Sequence, residues 1–275
     1  MPVCLGKRRM RAPLGILLGL LLLPSTLQAA IRTETVHYRQ GDTEFQGLLV
    51  YDDAAQGKRP GILVCPEWWG LNDYAKRRAE MLAELGYVAL AVDLYGDGQT
   101  TQLPDVARKL SGELKSNRPL LRLRVNAALE ALKMSARVDA REIAAIGYCF
   151  GGTTVLELAR SGAEVRGVVA FHPGLDSPNP SDGKNIKGRV LVCYGANDTA
   201  SSAKDVEAFE QEMRQNNVDW EMNLYGNAGH GFTNPAAGSR GVAGVGYNAD
   251  ADHRSWQAMQ VFLAELFPGS ARGAE

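Results

Sequence analysis

The stretch Gly147-Tyr148-Cys149-Phe150-Gly151-Gly152 has the pattern of a sharp turn from a strand into a helix. Glycines two residues before and after Cys149 would let the strand and the helix approach each other closely. Serine is usual at the tip of this turn, so Cys149 is a candidate nucleophile, and a helix N-terminus favours a thiolate there. The alternative interpretation is that Cys149 is a small, buried apolar residue.

The chain around this turn alternates strands and helices, which predicts a mostly parallel sheet with helices on both faces. A hairpin (35–38 and 45–51) is followed by strands predicted at 62–65, 87–92, 140–148, 165–171, 189–194 and 219–225. Helices are predicted at 72–85, 122–134, 152–160, 202–215 and 251–267, with a helix-containing polar segment at 99–116. No linker interrupts the pattern, so we predict one α/β domain over residues 31–275.

The composition of the 275 residues is that of an ordinary globular protein, with 45% hydrophobic and 22% charged residues. A net charge of -1 gives no electrostatic reason to expect binding to nucleic acid or to an anionic membrane surface. No His, Cys, Asp and Glu spacing is typical of a metal site, so we expect no metal or cofactor. A monomer or a small homo-oligomer is compatible with these features.

Residues 1–30 have the parts of a secretory signal peptide. Basic residues from Lys7 to Arg11 precede an apolar segment at 14–23, and cleavage is expected after Ala29 or Ala30. An uncleaved membrane anchor is the alternative, but ten helical residues span only about 15 Å of a hydrocarbon layer of roughly 30 Å. We therefore expect an exported protein, periplasmic or secreted, without a stable membrane anchor after cleavage.

Cleavage would leave three cysteines in the mature chain: Cys65, Cys149 and Cys193. An odd number cannot pair completely within one chain, so a disulfide framework is not expected. Cys65 and Cys193 lie in apolar, strand-like segments, which favours buried core positions for both.

Three predicted strands are followed by reactive side chains in the order Cys149, Asp198, His230. Ligand sites form at the carboxyl ends of such strands, and this order of nucleophile, acid and histidine is that of α/β-hydrolases. His230 would take the thiol proton and Asp198 would fix the histidine tautomer. Alternatively, Asp198 is a turn residue and His230 a structural residue of a tight loop.

The remaining histidines fit this arrangement less well. His37 lies in the first strand, His172 follows a different strand, and His253 lies in the last helix.

Five segments together resemble the dienelactone hydrolase family of α/β-hydrolases. They are residues 66–72 (PEWWGLN), 93–96 (DLYG), 147–152 (GYCFGG), 195–198 (GAND) and 228–232 (AGHGF). The resemblance implies hydrolysis of a small-molecule carboxylic ester or lactone through a cysteine thioester. It also implies that Glu67 contacts the resting cysteine and takes the thiol proton when substrate binds. The backbone N–H groups of Trp68 and Phe150 would form the oxyanion hole.

The chain departs from the family at the substrate-binding positions. Dienelactone hydrolases hold a substrate carboxylate with two arginines, but this chain has Gly96-Asp97-Gly98 and Thr233-Asn234-Pro235 at those places. Asp97 would repel a carboxylate, whereas Arg240 or Arg254 could reach into the pocket. We therefore expect a different substrate.

Aromatic residues are the expected lining of the substrate pocket. The candidates are Trp69, Tyr95 and Phe232, each of which could instead be a core residue.

Two other functions remain open from the sequence. A thiol-based redox or stress protein could use an exposed, readily oxidised Cys149. A binding protein without catalytic activity could also use this fold, since fold alone does not fix function.

Overall fold

A single eight-stranded sheet forms the centre of the protein in a computed structural model that describes residues 1–4, 30–239 and 241–269. The strand order is β1-β2-β4-β3-β5-β6-β7-β8. β2 pairs antiparallel with β1 and with β4, and the pairings from β4 to β8 are parallel. Most of the expected signal peptide lies outside the described residues.

The elements alternate along the chain as the sequence predicts. The strands are β1 (Ile31–Gln40), β2 (Thr43–Asp52), β3 (Arg59–Cys65), β4 (Val88–Ala91), β5 (Val138–Tyr148), β6 (Gly167–Phe171), β7 (Arg189–Gly195) and β8 (Trp220–Tyr225). The helices are α1 (Asp73–Glu84), α2 (Pro104–Ser116), α3 (Arg118–Lys133), α4 (Phe150–Arg160), α5 (Ala203–Gln215) and α6 (Ala249–Leu266). The predicted fold class is confirmed.

The largest difference between a predicted and an observed helix end is at α3, which begins at Arg118 rather than at residue 122. The Asn117 side chain caps it by accepting the N–H of Leu120, and a proline occupies the first turn, where its missing N–H costs nothing. The loop around Ser177, predicted to be irregular, continues into a short 3₁₀ helix, Pro180–Asn185.

The core has two halves, one on each face of the sheet. Alternate residues of β5 enter opposite halves: Ile143 and Ala145 face α3, α4 and α5, whereas Ala144 and Ile146 face α1 and α6. Cys65 and Cys193 are fully buried, as predicted. Within the described residues, no helix has the length and apolarity needed to cross a bilayer.

Candidate active site

The turn at Cys149 is strained, and glycines allow it to form. Cys149 has φ 54° and ψ -113°, outside the regions that L-residues prefer, and it directly precedes α4. A Cβ added to Gly147 would lie 2.0 Å from the Gly151 carbonyl oxygen. A Cβ added to Gly151 would lie 2.1 Å from the Cys65 carbonyl oxygen. The two glycines therefore let α4 begin against the ends of β5 and β3.

Replacing Gly151 by alanine is expected to destabilise the fold by about 3 kcal/mol or more, because the new methyl group meets backbone that cannot rotate away. Urea unfolding followed by circular dichroism measures the change. Gly112→Ala in the exposed face of α2 is the matched control, since its Cβ meets nothing within 4 Å. That control should be neutral or stabilised by up to about 1 kcal/mol. Equal stability of the two variants would contradict the close approach.

Cys149, Asp198 and His230 come together at the carboxyl ends of β5, β7 and β8. His230 Nε2 lies 3.0 Å from Cys149 Sγ, and His230 Nδ1 lies 2.9 Å from Asp198 Oδ2. The Asp198 carboxylate is buried, and its other oxygen accepts the N–H of Ala200 at 2.8 Å. A carboxylate at Nδ1 places that proton on Nδ1 and leaves Nε2 to exchange a proton with the sulfur.

Two negative groups favour the protonated form of His230. Burial by itself would lower the pKa of His230, but the charge of Cys149 and the hydrogen bond to Asp198 raise it well above its ordinary value. His230 can therefore carry a proton beside a thiolate. The arrangement can hold a thiolate–imidazolium pair.

Glu67 lies beside the triad and is buried, with 5% of its surface exposed. Its Oε2 accepts a hydrogen bond from Asn234 Nδ2 at 2.6 Å. Asn234 is itself held by its N–H, which donates to the Gly231 carbonyl. Glu67 is thus tied to the loop that carries His230, whereas the Cys149 sulfur faces His230.

The N–H groups expected to form the oxyanion hole belong to Trp68, after β3, and Phe150, the first residue of α4. The first N–H groups of a helix have no acceptor within the helix, so that of Phe150 can bind an anion. Tyr95 contacts both residues. Its hydroxyl donates to the Trp68 carbonyl at 2.8 Å, and its ring stacks on Phe150 with centroids 6.1 Å apart.

A cavity of about 230 Å³ opens over the Cys149 sulfur and His230. Glu67, Trp68 and Trp69 form one wall. Another wall is formed by small apolar residues in the described parts of segment 236–245, which follows His230, namely Ala236, Ala237, Gly238, Val242, Ala243, Gly244 and Val245. Glu67 is the acidic residue of the lining, and no lysine or arginine of the described ranges belongs to it.

The structure corrects two of the pocket expectations. Trp69 lines the cavity, but Tyr95 and Phe232 do not. Tyr95 lies behind the expected oxyanion hole. Phe232 is fully buried and packs its ring edge-on against His172, with centroids 5.2 Å apart.

The charged residues considered for substrate binding also lie elsewhere. Asp97 is exposed and does not line the cavity, whose acidic residue is Glu67 instead. Arg254 projects from α6, with 68% of its side chain exposed, and it likewise does not line the cavity. Arg240 lies outside the described residues.

Two features of the site escape the sequence analysis. The wall at 236–245 belongs to a long loop rich in glycine and alanine directly after the candidate catalytic histidine, and long loops of this kind often serve function. His172 contacts both the turn and His230. Its position at the end of β6, next to β5 in the sheet, is the signal that could have identified it.

The chain is similar to a family model, to curated proteins and to solved structures. The model of the dienelactone hydrolase family matches residues 45–267. A solved dienelactone hydrolase-like promiscuous phosphotriesterase from metagenomic libraries is 43% identical, with a TM-score of 0.84 over 86% of this chain and 99% of its own. A candidate carboxymethylenebutenolidase of Synechocystis sp. is 28% identical over 86% of this chain and 98% of its own. An uncharacterized protein of Caenorhabditis elegans is 38% identical over 54% of this chain and 94% of its own.

Proposed function

The chain belongs to the dienelactone hydrolase family, whose members act on lactone and ester bonds, and we propose that it does so with Cys149 as nucleophile. The observation that carries the proposal is the contact chain from the Cys149 sulfur through His230 to Asp198, with distances of 3.0 Å and 2.9 Å. Acyl transfer requires a base that contacts the nucleophile and a carboxylate that contacts the base.

The reaction runs in two halves. The Cys149 thiolate attacks the carbonyl carbon, and the N–H groups of Trp68 and Phe150 stabilise the oxyanion. The intermediate collapses to a thioester as His230 gives its proton to the departing alkoxide. His230 then takes a proton from water, the hydroxide attacks the thioester, and the carboxylic acid leaves as the thiolate re-forms. Asp198 holds the His230 tautomer throughout.

Glu67 is proposed as the resting partner of the thiol. It lines the same cavity as Cys149 and is buried, so a rotation of the sulfur away from His230 would turn the thiol toward it. As the sulfur turns back, the Glu67 carboxylate accepts the thiol proton and then releases it to His230. Glu67 is then again charged, and His230 carries the proton that it later gives to the alkoxide. The pairing of the sulfur with His230 corresponds to the reactive orientation.

The cavity favours an uncharged substrate. Its lining is mainly apolar, and its acidic residue, Glu67, would repel a substrate carboxylate. We expect the 4-nitrophenyl ester of monomethyl glutarate to have a kcat/KM at least about tenfold above that of the free-acid ester, since about 1.4 kcal/mol of repulsion suffices. Steady-state kinetics on both esters, a neutral lactone and a neutral aryl phosphotriester measures this preference.

Two variants test the source of this discrimination. Glu67→Gln should bring the kcat/KM values of the two esters closer together, whatever it does to the rate on either one. Arg240→Ala tests whether the loop arginine outside the described residues pairs with a substrate carboxylate. We expect that it does not, so the ratio of the kcat/KM values for the two esters should not change. A free-acid ester hydrolysed as fast as its methyl ester by the wild-type protein would contradict the proposed substrate class.

Export is proposed on the N-terminal sequence. β1 begins at Ile31, one residue after the later expected cleavage site, so cleavage would leave the sheet intact. Expression with the native N-terminus and mass spectrometry of the envelope fraction should find a mature chain beginning at Ala30 or Ile31. A chain that keeps Met1 and stays in the cytoplasm would overturn the proposal.

A redox function is not favoured by the arrangement of thiols. Cys65 and Cys193 are fully buried, and burial raises the pKa of both thiols, that of Cys193 to about 12. Neither is suited to resolve an oxidised Cys149, because resolution needs an accessible thiolate.

A further inference from the structure

His172 lies directly behind the nucleophile and is fully buried. It follows β6 and adopts φ 39°, an unusual backbone conformation for a residue other than glycine. Its N–H donates to the Cys193 carbonyl at 2.8 Å, which fixes the residue to the end of β7. The strain and the burial together indicate a side chain that the surrounding structure holds in one place.

The two ring nitrogens of His172 have different partners. The Cys149 N–H lies 3.1 Å from Nδ1 and 3.0 Å from the Phe171 carbonyl oxygen, so two acceptors share this one donor. Because Nδ1 accepts, a neutral ring carries its proton on Nε2. That nitrogen lies 2.8 Å from the Thr233 hydroxyl, to which it can donate.

Thr233 connects His172 to a charged group remote from the cavity. Its hydroxyl lies 2.6 Å from the Tyr74 hydroxyl, which also accepts the Nε–H of Arg78 at 3.2 Å. Arg78 in turn donates to the Thr233 carbonyl at 2.6 Å. His172 is therefore fixed at both nitrogens, with Cys149 on one side and the Thr233 hydroxyl on the other.

His172 also contacts the catalytic histidine. The rings of His172 and His230 meet edge to face, with centroids 5.2 Å apart. A proton on His172 would abolish the acceptor for Cys149 and would repel a protonated His230. Burial, and then the nearby charges of His230 and Arg78, lower the pKa of His172 well below its ordinary value.

We infer that His172 is a positioning residue for the hydrolysis proposed above: its neutral ring, by accepting the Cys149 N–H, holds the nucleophile at the tip of the turn in line with His230. The inference rests on the proposed function. It assigns the effect to Nδ1 specifically, since Nε2 faces away from the nucleophile toward Thr233.

Two amide variants distinguish the roles of the two ring nitrogens of His172. His172→Asn keeps an acceptor at the place of Nδ1, whereas His172→Gln keeps a polar group at the place of Nε2 and removes the acceptor for Cys149. We expect His172→Gln to lower kcat on the neutral ester by roughly 30- to 100-fold, with KM within about twofold, because small displacements of reacting groups cost rates of this order. His172→Asn should retain at least about one third of the wild-type kcat.

Each outcome distinguishes this inference from the function on which it rests. Thr233→Val removes the hydroxyl that faces His172 Nε2 and Tyr74 but leaves the Nδ1 contact intact, so it should resemble His172→Asn. Urea unfolding of all variants shows whether stability follows kcat. A His172→Gln variant as active as wild type, or more active than His172→Asn, overturns the positioning role. Activity that survives in Cys149→Ala overturns the proposed function instead.

Discussion

Cys149→Ala is expected to lower kcat/KM on the neutral ester by about 10⁴-fold or more, because without the sulfur no thioester can form. The cavity, the oxyanion N–H groups and the His230–Asp198 pair would remain, so KM of any residual reaction should change little. Steady-state kinetics of the purified variant measures the loss. Circular dichroism should be unchanged, since the variant removes a single sulfur from the wall of a cavity.

Cys149→Ser is the informative companion to this variant. It restores an oxygen at the same place, but His230 must then remove a proton from a far weaker acid than a thiol. We expect activity above that of Cys149→Ala and at least about 100-fold below wild type. Full activity in Cys149→Ala would show that another group attacks the substrate.

Chemical labelling gives an independent measure of the same thiol. Iodoacetamide should modify Cys149 and abolish turnover, whereas the fully buried Cys65 and Cys193 should react only after unfolding. Peptide mapping by mass spectrometry separates these sites from the exposed Cys4. Modification of Cys149 without loss of turnover would contradict its role as nucleophile.

The fold could be predicted because its signals are local. Apolar runs such as residues 62–65 and 189–194 mark buried strands, and glycine or an asparagine cap marks the ends of helices. The start of α3 at Arg118 was missed because the cap is Asn117 and the first turn contains proline, which interrupts the apolar period without breaking the helix.

The candidate site was predictable to the extent that it follows strand ends. Cys149, Asp198 and His230 follow β5, β7 and β8, so chain order alone brings them to one edge of the sheet. The depth of a side chain does not follow from chain order. Phe232 is two residues after His230 but points into the core, and Tyr95 lies behind Trp68 rather than in the cavity.

His172 shows the same limit more sharply. Its strand, β6, lies between β5 and β7 in the sheet, so its position beside the nucleophile follows from strand order in space rather than along the chain. A strand order of β5-β6-β7-β8 places the residue after β6 between the nucleophile and the acid. The order of the catalytic residues along the chain therefore does not reveal His172.

Away from the site, a fully buried ion cluster holds α4 against its neighbours. Arg160 donates from Nε and Nη2 to the two Glu212 oxygens at 2.9 Å and 2.7 Å, and from Nη1 to Glu157 at 3.0 Å. Glu157 also accepts from Arg122 at 2.8 Å. Because α4 begins at the nucleophile and ends at Arg160, the cluster fixes the far end of the helix that carries the turn.

Arg160→Met is therefore expected to lower the free energy of unfolding by about 3–5 kcal/mol, since Glu212 would stay buried without its bidentate partner. Glu157 would keep Arg122, so Glu212 bears most of the cost. Urea unfolding of the variant measures the loss. The double variant Arg160→Met/Glu212→Leu is the matched control and should recover much of it, because apolar groups can replace a buried ion pair at little cost. If the double variant were less stable than Arg160→Met, packing rather than an uncompensated carboxylate would explain the loss.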